Sequence, residues 1–325
     1  MKKTELYPLQ FVPQYEYRLW GGDKLNAILN RDIEGNKIGE SWEISAVEGA
    51  PSIVAYGLFK GLSLPELIER NPEALLGKTV VEKHGKNFPL LIKFIDAKIP
   101  LSVQVHPNDE LAKERHNSLG KNEMWYIMEA KKEAELILGF NKKIDPTTYA
   151  STLNENRIEE ILHRVNIQKG EAVYVPAGLV HAIGGGIVLA EIQQTSDITY
   201  RVYDYNRIDA KTGTKRALHQ DMAIKAINFD LEQQEVLQIE EKPNQSNLFL
   251  DTPFFKTAFL VVEESIKLDY KTRDAFSVLI CVEGEANLMA NDHPLMITKG
   301  QTVLIPAAQE GIHLKGKAKF LEVTL

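Results

Sequence analysis

The sequence predicts a mainly β protein in which one small β unit is used twice, accompanied by a few short helices. Three observations carry this. Most of the 325-residue chain alternates apolar with polar side chains, is rich in β-branched and aromatic residues, and is punctuated by Gly, Pro and Asn. Helix signals are few and clustered. The segment Lys169-Gly170-Glu171-Ala172-Val173-Tyr174-Val175-Pro176-Ala177 is echoed 130 residues later by Lys299-Gly300-Gln301-Thr302-Val303-Leu304-Ile305-Pro306-Ala307. Each copy is a glycine turn, a strand and a proline that ends it.

In chain order, Ser63-Leu64-Pro65-Glu66 forms a capping box with proline in the first turn, so a helix is expected from there toward Ala74, stopped near Gly77. Asn108-Asp109-Glu110 starts a short helix. Asn156 with Glu159 caps another that contains Ile158, Ile161 and Leu162, and a last one lies around Leu218 to Ile227. The polar stretch Gln238 to Asn247, with Pro243 inside it, reads as a linker. Two domains are expected, residues 1–238 with the small helical segments and residues 239–325 after the linker.

Apolar residues at 44% and charged residues at 26% suit a soluble globular chain. The amino-terminal stretch places Lys2 and Lys3 before polar residues instead of an apolar run, so no signal peptide is expected. No segment approaches the roughly eighteen apolar residues of a membrane span. Cys281 is the only cysteine, which excludes an intramolecular disulfide and a thiolate zinc cluster and fits a reducing compartment. A cytoplasmic protein, monomer or weak dimer, is expected. A formal charge of -7 disfavours a general nucleic-acid surface. A small phosphorylated ligand needs only a few local cations.

Strand parity locates the chemistry. In Pro100 to Pro107, Leu101, Val103 and Val105 fall on one face and Ser102, Gln104 and His106 on the other. From Leu189 to Tyr203 the odd positions include Glu191, Gln193, Thr195, Asp197 and Arg201, a second polar row if the run stays extended through Ser196. Gly170 to His181 reads G-x5-P-x-G-x2-H, the second cupin motif, which presents a histidine at a barrel mouth. Two cupin jelly-roll barrels are therefore expected. An isolated His181 would read as a loop histidine; within the motif it reads as a ligand. In the echoed copy Gly311 stands opposite His181, so only the first copy is expected to bind metal. Gln104 and His106, with a carboxylate from Glu123 in the segment Lys121 to Ile127, form with His181 two imidazoles, a carboxylate and an amide, a zinc-compatible set; the alternation after Glu123 also allows it to be a surface strand residue. One carboxylate leaves such a site net positive, a strong Lewis acid.

The segments Trp20-Gly21-Gly22, Gly39 to Ser45, Phe88 to Phe94, Pro100 to Pro107, Lys121-Asn122-Glu123, Pro176 to Ala182 and Glu191 to Arg201 together resemble type I mannose-6-phosphate isomerases, in their short bacterial form. The resemblance implies one zinc held by Gln104, His106, Glu123 and His181, with Arg201 as the active-site arginine. It also implies Lys93 and Lys121 in the substrate pocket and Ser102 near the phosphate. Trp20 is expected in the pocket wall. Asn122 stands where the long members carry proline, and their large helical insertion is missing. The reaction implied is aldose-ketose isomerisation of mannose 6-phosphate and fructose 6-phosphate through a cis-enediol. Glu191, Asp197, Lys121 and a zinc-bound water stand as alternative proton carriers. Two other readings compete: an Fe(II) cupin dioxygenase and a non-catalytic sugar-binding cupin. A fourth ligand from Gln104 disfavours the former by filling a position oxygen would need.

Overall fold

The computed structural model describes residues 6–291 and 293–325; Lys2 and Lys3 lie outside the described residues. As expected, the fold is mainly β with short helices. A seven-stranded antiparallel sheet runs in the order Val236–Leu237, Ala172–Val175, Glu123–Ala130, Ile187–Gln194, Leu90–Ala97, Gln14–Gly22 and Ile38–Ile44. A five-stranded sheet follows the order Tyr200–Tyr203, Val103–Val105, His181–Ile183, Glu135–Phe140 and Leu162–Asn166. The carboxy-terminal part forms another seven-stranded sheet around the long strands Ser277–Ala290 and Gly311–Thr324. Among the described residues, strand pairing leaves each of these sheets open, and none closes into the hydrogen-bonded barrel expected from the sequence.

Strands Leu90–Ala97, Glu123–Ala130 and Ile187–Gln194 are covered on both faces, so nearly every position along them is buried, the polar ones included. One face joins Trp125, Ile127 and Leu189 to Leu136, Leu138 and Ile183 of the five-stranded sheet. The other packs Ile92, Phe94, Met124 and Ile192 against Leu64, Leu67 and Ile68 and against Phe255, Phe276 and Leu321 of the carboxy-terminal part. The two parts are also tied by backbone bonds, with Leu9 and Leu304 exchanging N–H···O bonds of 2.8 Å.

The capping box at Ser63 forms, but its helix ends at Arg70 and a second one, Pro72–Leu76, follows. Pro72 excludes the helical conformation at Asn71, so the single helix expected through Ala74 breaks there. Helix Lys78–His84 is absent from the sequence reading because its cap is remote: Asp274 accepts from the N–H groups of Lys78 and Thr79, both at 2.8 Å. Asn108 caps Asp109–His116, and Gln220–Ala226 forms within the expected range. Around Asn156 only a 3-10 turn, Ile158–Ile161, appears, and Leu162 already belongs to a strand. Helix Pro146–Asn154 was legible from its Asp145 cap and Pro146, yet was missed.

Candidate active site

Two rows of side chains meet to make the site. Across the five-stranded sheet Arg201 pairs with Gln104, and Gln104 with His181. Across the seven-stranded sheet Trp42 pairs with Lys93, Lys93 with Glu191, and Glu191 with Trp125. Residues directly opposed in antiparallel strands share a face, so each sheet presents one polar row. A cavity of about 380 Å³ is lined by Trp20, Lys93, Ser102, Gln104, Lys121, Glu191, Asp197 and Arg201, all named from sequence. The run from Leu189 to Tyr203 does not stay extended, however. It breaks after Gln194, where the Gln193 amide donates to the Ser196 carbonyl at 2.7 Å, and strand pairing resumes only at Tyr200. Leu101 departs as well, because the strand begins only at Val103 and Leu101 turns into the cavity wall.

Gln104 and Lys121 connect this cavity to a buried cluster of His106, Glu123 and His181, whose ligand atoms lie within 4.8 Å of one another. His106 Nδ1 is 2.8 Å from the Ile198 carbonyl, and His181 Nδ1 is 2.8 Å from that of Leu179. A carbonyl only accepts, so Nδ1 carries the proton in both rings and Nε2 the lone pair. The two Nε2 atoms face each other at 3.2 Å. Glu123 Oε2 is buried without a hydrogen bond among the described residues, 3.7 Å from His181 Nε2. The Gln104 amide stands 3.3 Å from the same nitrogen, and a half-turn presents its oxygen. Facing lone pairs and an orphaned carboxylate oxygen are what one divalent cation would satisfy, and the donor set suits it.

Electrostatics agree with that fit. Burial first, and then His106, pushes the His181 imidazole down to about 3, so it stays neutral as a ligand must. Burial opposes ionisation of Glu123, but Lys121 and then His106 outweigh it and hold the carboxyl well below the usual range. Lys121 Nζ bonds Glu123 Oε1 and lies 3.2 Å from His106 Nε2. Glu191 is shifted the other way, raised by burial and by the Glu123 charge. Its Oε2 accepts from the Trp125 indole at 3.0 Å, while Oε1 lacks a hydrogen bond and faces Lys93 Nζ at 3.2 Å.

The sequence reading missed a further wall. Arg18, Glu40 and Trp42 line the cavity beside Lys93. Arg18 grips Glu40 with Nε at 3.0 Å and Nη2 at 2.9 Å, and the Trp42 indole donates to the same carboxylate at 2.7 Å. Glu40 and Trp42 are two apart on one strand, a parity signal that was available. Arg216 also lines the cavity and gave no such signal. It bonds Asp204 at 2.8 and 2.7 Å, so Asp204 is committed to Arg216 and Arg207 and does not hold Arg201. Asp197 sits at the exposed rim. His313 lies on the carboxy-terminal sheet, in register with Lys267 and Met289, away from the cluster. A larger cavity, about 560 Å³ and lined by Phe140, Lys143, Leu179 and Phe229, has no metal-ligating cluster among the described residues.

The fold and site define a β-rich protein whose polar, cation-lined cavity adjoins a buried cluster capable of holding a metal. Residues 8–143 match the catalytic domain of phosphomannose isomerase type I, and residues 245–325 match the mannose-6-phosphate isomerase cupin domain. Mannose-6-phosphate isomerase ManA of Bacillus subtilis is 37% identical over 96% of this chain and 97% of its own length. A mannose-6-phosphate isomerase of Streptococcus mutans is 32% identical over 92% of each chain. The crystal structure of a Bacillus subtilis mannose 6-phosphate isomerase superposes with a TM-score of 0.88 at 31% identity, covering 98% of this chain and 99% of that one. The chain belongs to the type I mannose-6-phosphate isomerase family and is an enzyme of that class.

Proposed function

We propose that this chain interconverts mannose 6-phosphate and fructose 6-phosphate through a cis-enediol, with one zinc held by His106, Glu123, His181 and Gln104. The observation that carries this is the cluster of two inward lone pairs and one orphaned carboxylate oxygen beside a cavity rich in cations. Zinc would supply Lewis-acid polarisation of the substrate oxygen on which negative charge develops.

The remaining work falls to side chains. Arg201 donates from Nε to Ser102 Oγ at 3.3 Å and from Nη1 to the Ala217 carbonyl at 2.8 Å, which fixes its plane. Its Nη2 is then available for a developing oxyanion. Lys93 pairs with Glu191 at 3.2 Å and lies 5.1 Å over the Trp42 ring, so with one ion-pair contact among the described residues it retains protons for a sugar hydroxyl. Ser102 and Arg216, on the Arg201 side of the cavity, suit the phosphate end. Proton transfer between C2 and C1 is assigned to Glu191. Its Oε1 has no hydrogen bond among the described residues and faces only the Lys93 ammonium there, its carboxyl is raised, and it lines the cavity. Lys121 is engaged by Glu123, and Asp197 is solvent-exposed at the rim. Residues 1–238 would then form the catalytic cupin domain and residues 239–325 a structural cupin-like one.

A coupled assay for fructose 6-phosphate, run with metal analysis, tests the proposal. A chelator is expected to abolish turnover and zinc to restore it, and His181→Ala to lose bound zinc. Full turnover in metal-free protein would sink the reading.

A further inference from the structure

The segments that carry His106, Glu123 and His181 are distant in sequence, yet a buried pair of amide side chains bolts them together. Asn122 and Gln194 are 4% and 5% exposed. The Asn122 backbone N–H and its Nδ2 both donate to Gln194 Oε1, at 3.0 and 2.7 Å. The Gln194 N–H returns to the Asn122 carbonyl at 3.2 Å. On its other side, Asn122 Oδ1 accepts from the Ala177 N–H at 2.9 Å and from the Tyr174 hydroxyl at 3.0 Å. Gln194 Nε2 donates to Asp109 Oδ1 at 3.0 Å, and the same oxygen accepts from the Gly120 N–H at 2.8 Å.

Each of these bonds ends on a segment that presents a cluster residue. Asn122 directly precedes Glu123. Ala177 enters the turn that delivers His181, and the next N–H of that turn, Gly178, donates to the His106 carbonyl at 2.9 Å. Asp109 opens the helix that follows His106. Neither amide touches the cluster atoms themselves. What they fix is the spacing between the backbones from which His106, Glu123 and His181 project. Proline at position 122 would supply neither the backbone donor nor the side-chain oxygen.

We infer that Asn122, backed by Gln194, is a positioning residue for the His106–Glu123–His181 cluster, holding three separate segments at the separation a divalent cation requires. This rests on the reading that the cluster binds metal. Groups that orient metal ligands at one remove are worth about 10–100-fold in metal affinity, and that sets the expected scale.

The test is zinc affinity, measured by chelator competition on the purified full chain, with melting temperatures of the metal-free forms. Asn122→Ala is expected to bind zinc about 10–100-fold more weakly than wild type. The control is Ile305→Ala, a buried apolar change in the carboxy-terminal part. It is expected to lower the metal-free melting temperature while leaving zinc affinity within about twofold, because distant sites act independently. Gln194→Met keeps the side-chain length and deletes both its acceptor and its donor, and is expected to weaken zinc in the same way. It decides the matter if Asn122→Ala does not fold. Wild-type zinc affinity in the folded variants overturns the positioning role and leaves the metal reading standing. A wild-type chain that takes up no zinc overturns the metal reading and the inference with it.

Discussion

Arg201→Lys separates binding from chemistry. The guanidinium is anchored through Nε and Nη1 to Ser102 and Ala217, while Nη2 has no hydrogen bond among the described residues. Lysine offers a single nitrogen, which cannot satisfy those anchors and also keep a fixed donor directed at substrate. Charge is not the variable. Burial, and then Arg216, pushes the Arg201 guanidinium down to about 10, which still leaves it protonated at neutral pH. Losing one oriented donor to a developing oxyanion costs roughly 2.7–4 kcal/mol, or about 10²–10³-fold in turnover. Arg201→Lys is therefore expected to lower kcat by that factor and to leave KM nearly unchanged. Initial rates over a range of mannose 6-phosphate concentrations, with bound zinc measured on the same samples, give both constants. A raised KM with intact kcat would make Arg201 a ground-state clamp on the phosphate, and the transition-state role assigned to it would be refuted.

Glu40 offers a pH signature. Its burial favours the neutral acid, but Lys93 and Arg18 outweigh that and lower the carboxyl from 4.5 to about 2. A depressed folded-state value contributes stability that is complete above the unfolded-state value and lost as pH falls toward about 2; a shift of this size is worth roughly 3 kcal/mol. Glu40→Gln is expected to destabilise the protein most above about pH 5 and progressively less below it, in urea unfolding across that range. A gap between the two proteins that did not change with pH would refute the linkage. In the carboxy-terminal part, Ile305→Ala is expected to cost about 2–5 kcal/mol because the side chain is fully buried. His313→Ala is expected to leave zinc content unchanged, and loss of a metal equivalent would show that this part carries a ligand.

Much of the candidate site was legible because its residues sit in short runs. Parity put Ser102 and Gln104 on one face, and the glycine-proline-glycine spacing singled out His181, since both signals depend only on neighbours in sequence. Bonds between distant segments were not legible. Asp274 capping Lys78 and Thr79, Arg18 gripping Glu40, and Asn122 reaching Gln194 join positions 22 to 196 residues apart. Neither residue of such a pair announces the other. The break after Gln194 belongs with them, because the Gln193 side chain turns back on its own backbone where alternation alone would continue the strand.

Cys281 lies outside the candidate site, yet its placement makes it useful. The thiol is fully buried within the carboxy-terminal sheet, and burial pushes it up to about 12. Thiolate, the reactive form, is thus suppressed as well as shielded in the native state. With no second cysteine to compete, a thiol-specific reagent becomes a clock for the opening of the carboxy-terminal sheet. Its labelling rate can be read beside the loss of isomerase activity on heating, so the order in which the two parts of the molecule let go can be followed without introducing a label.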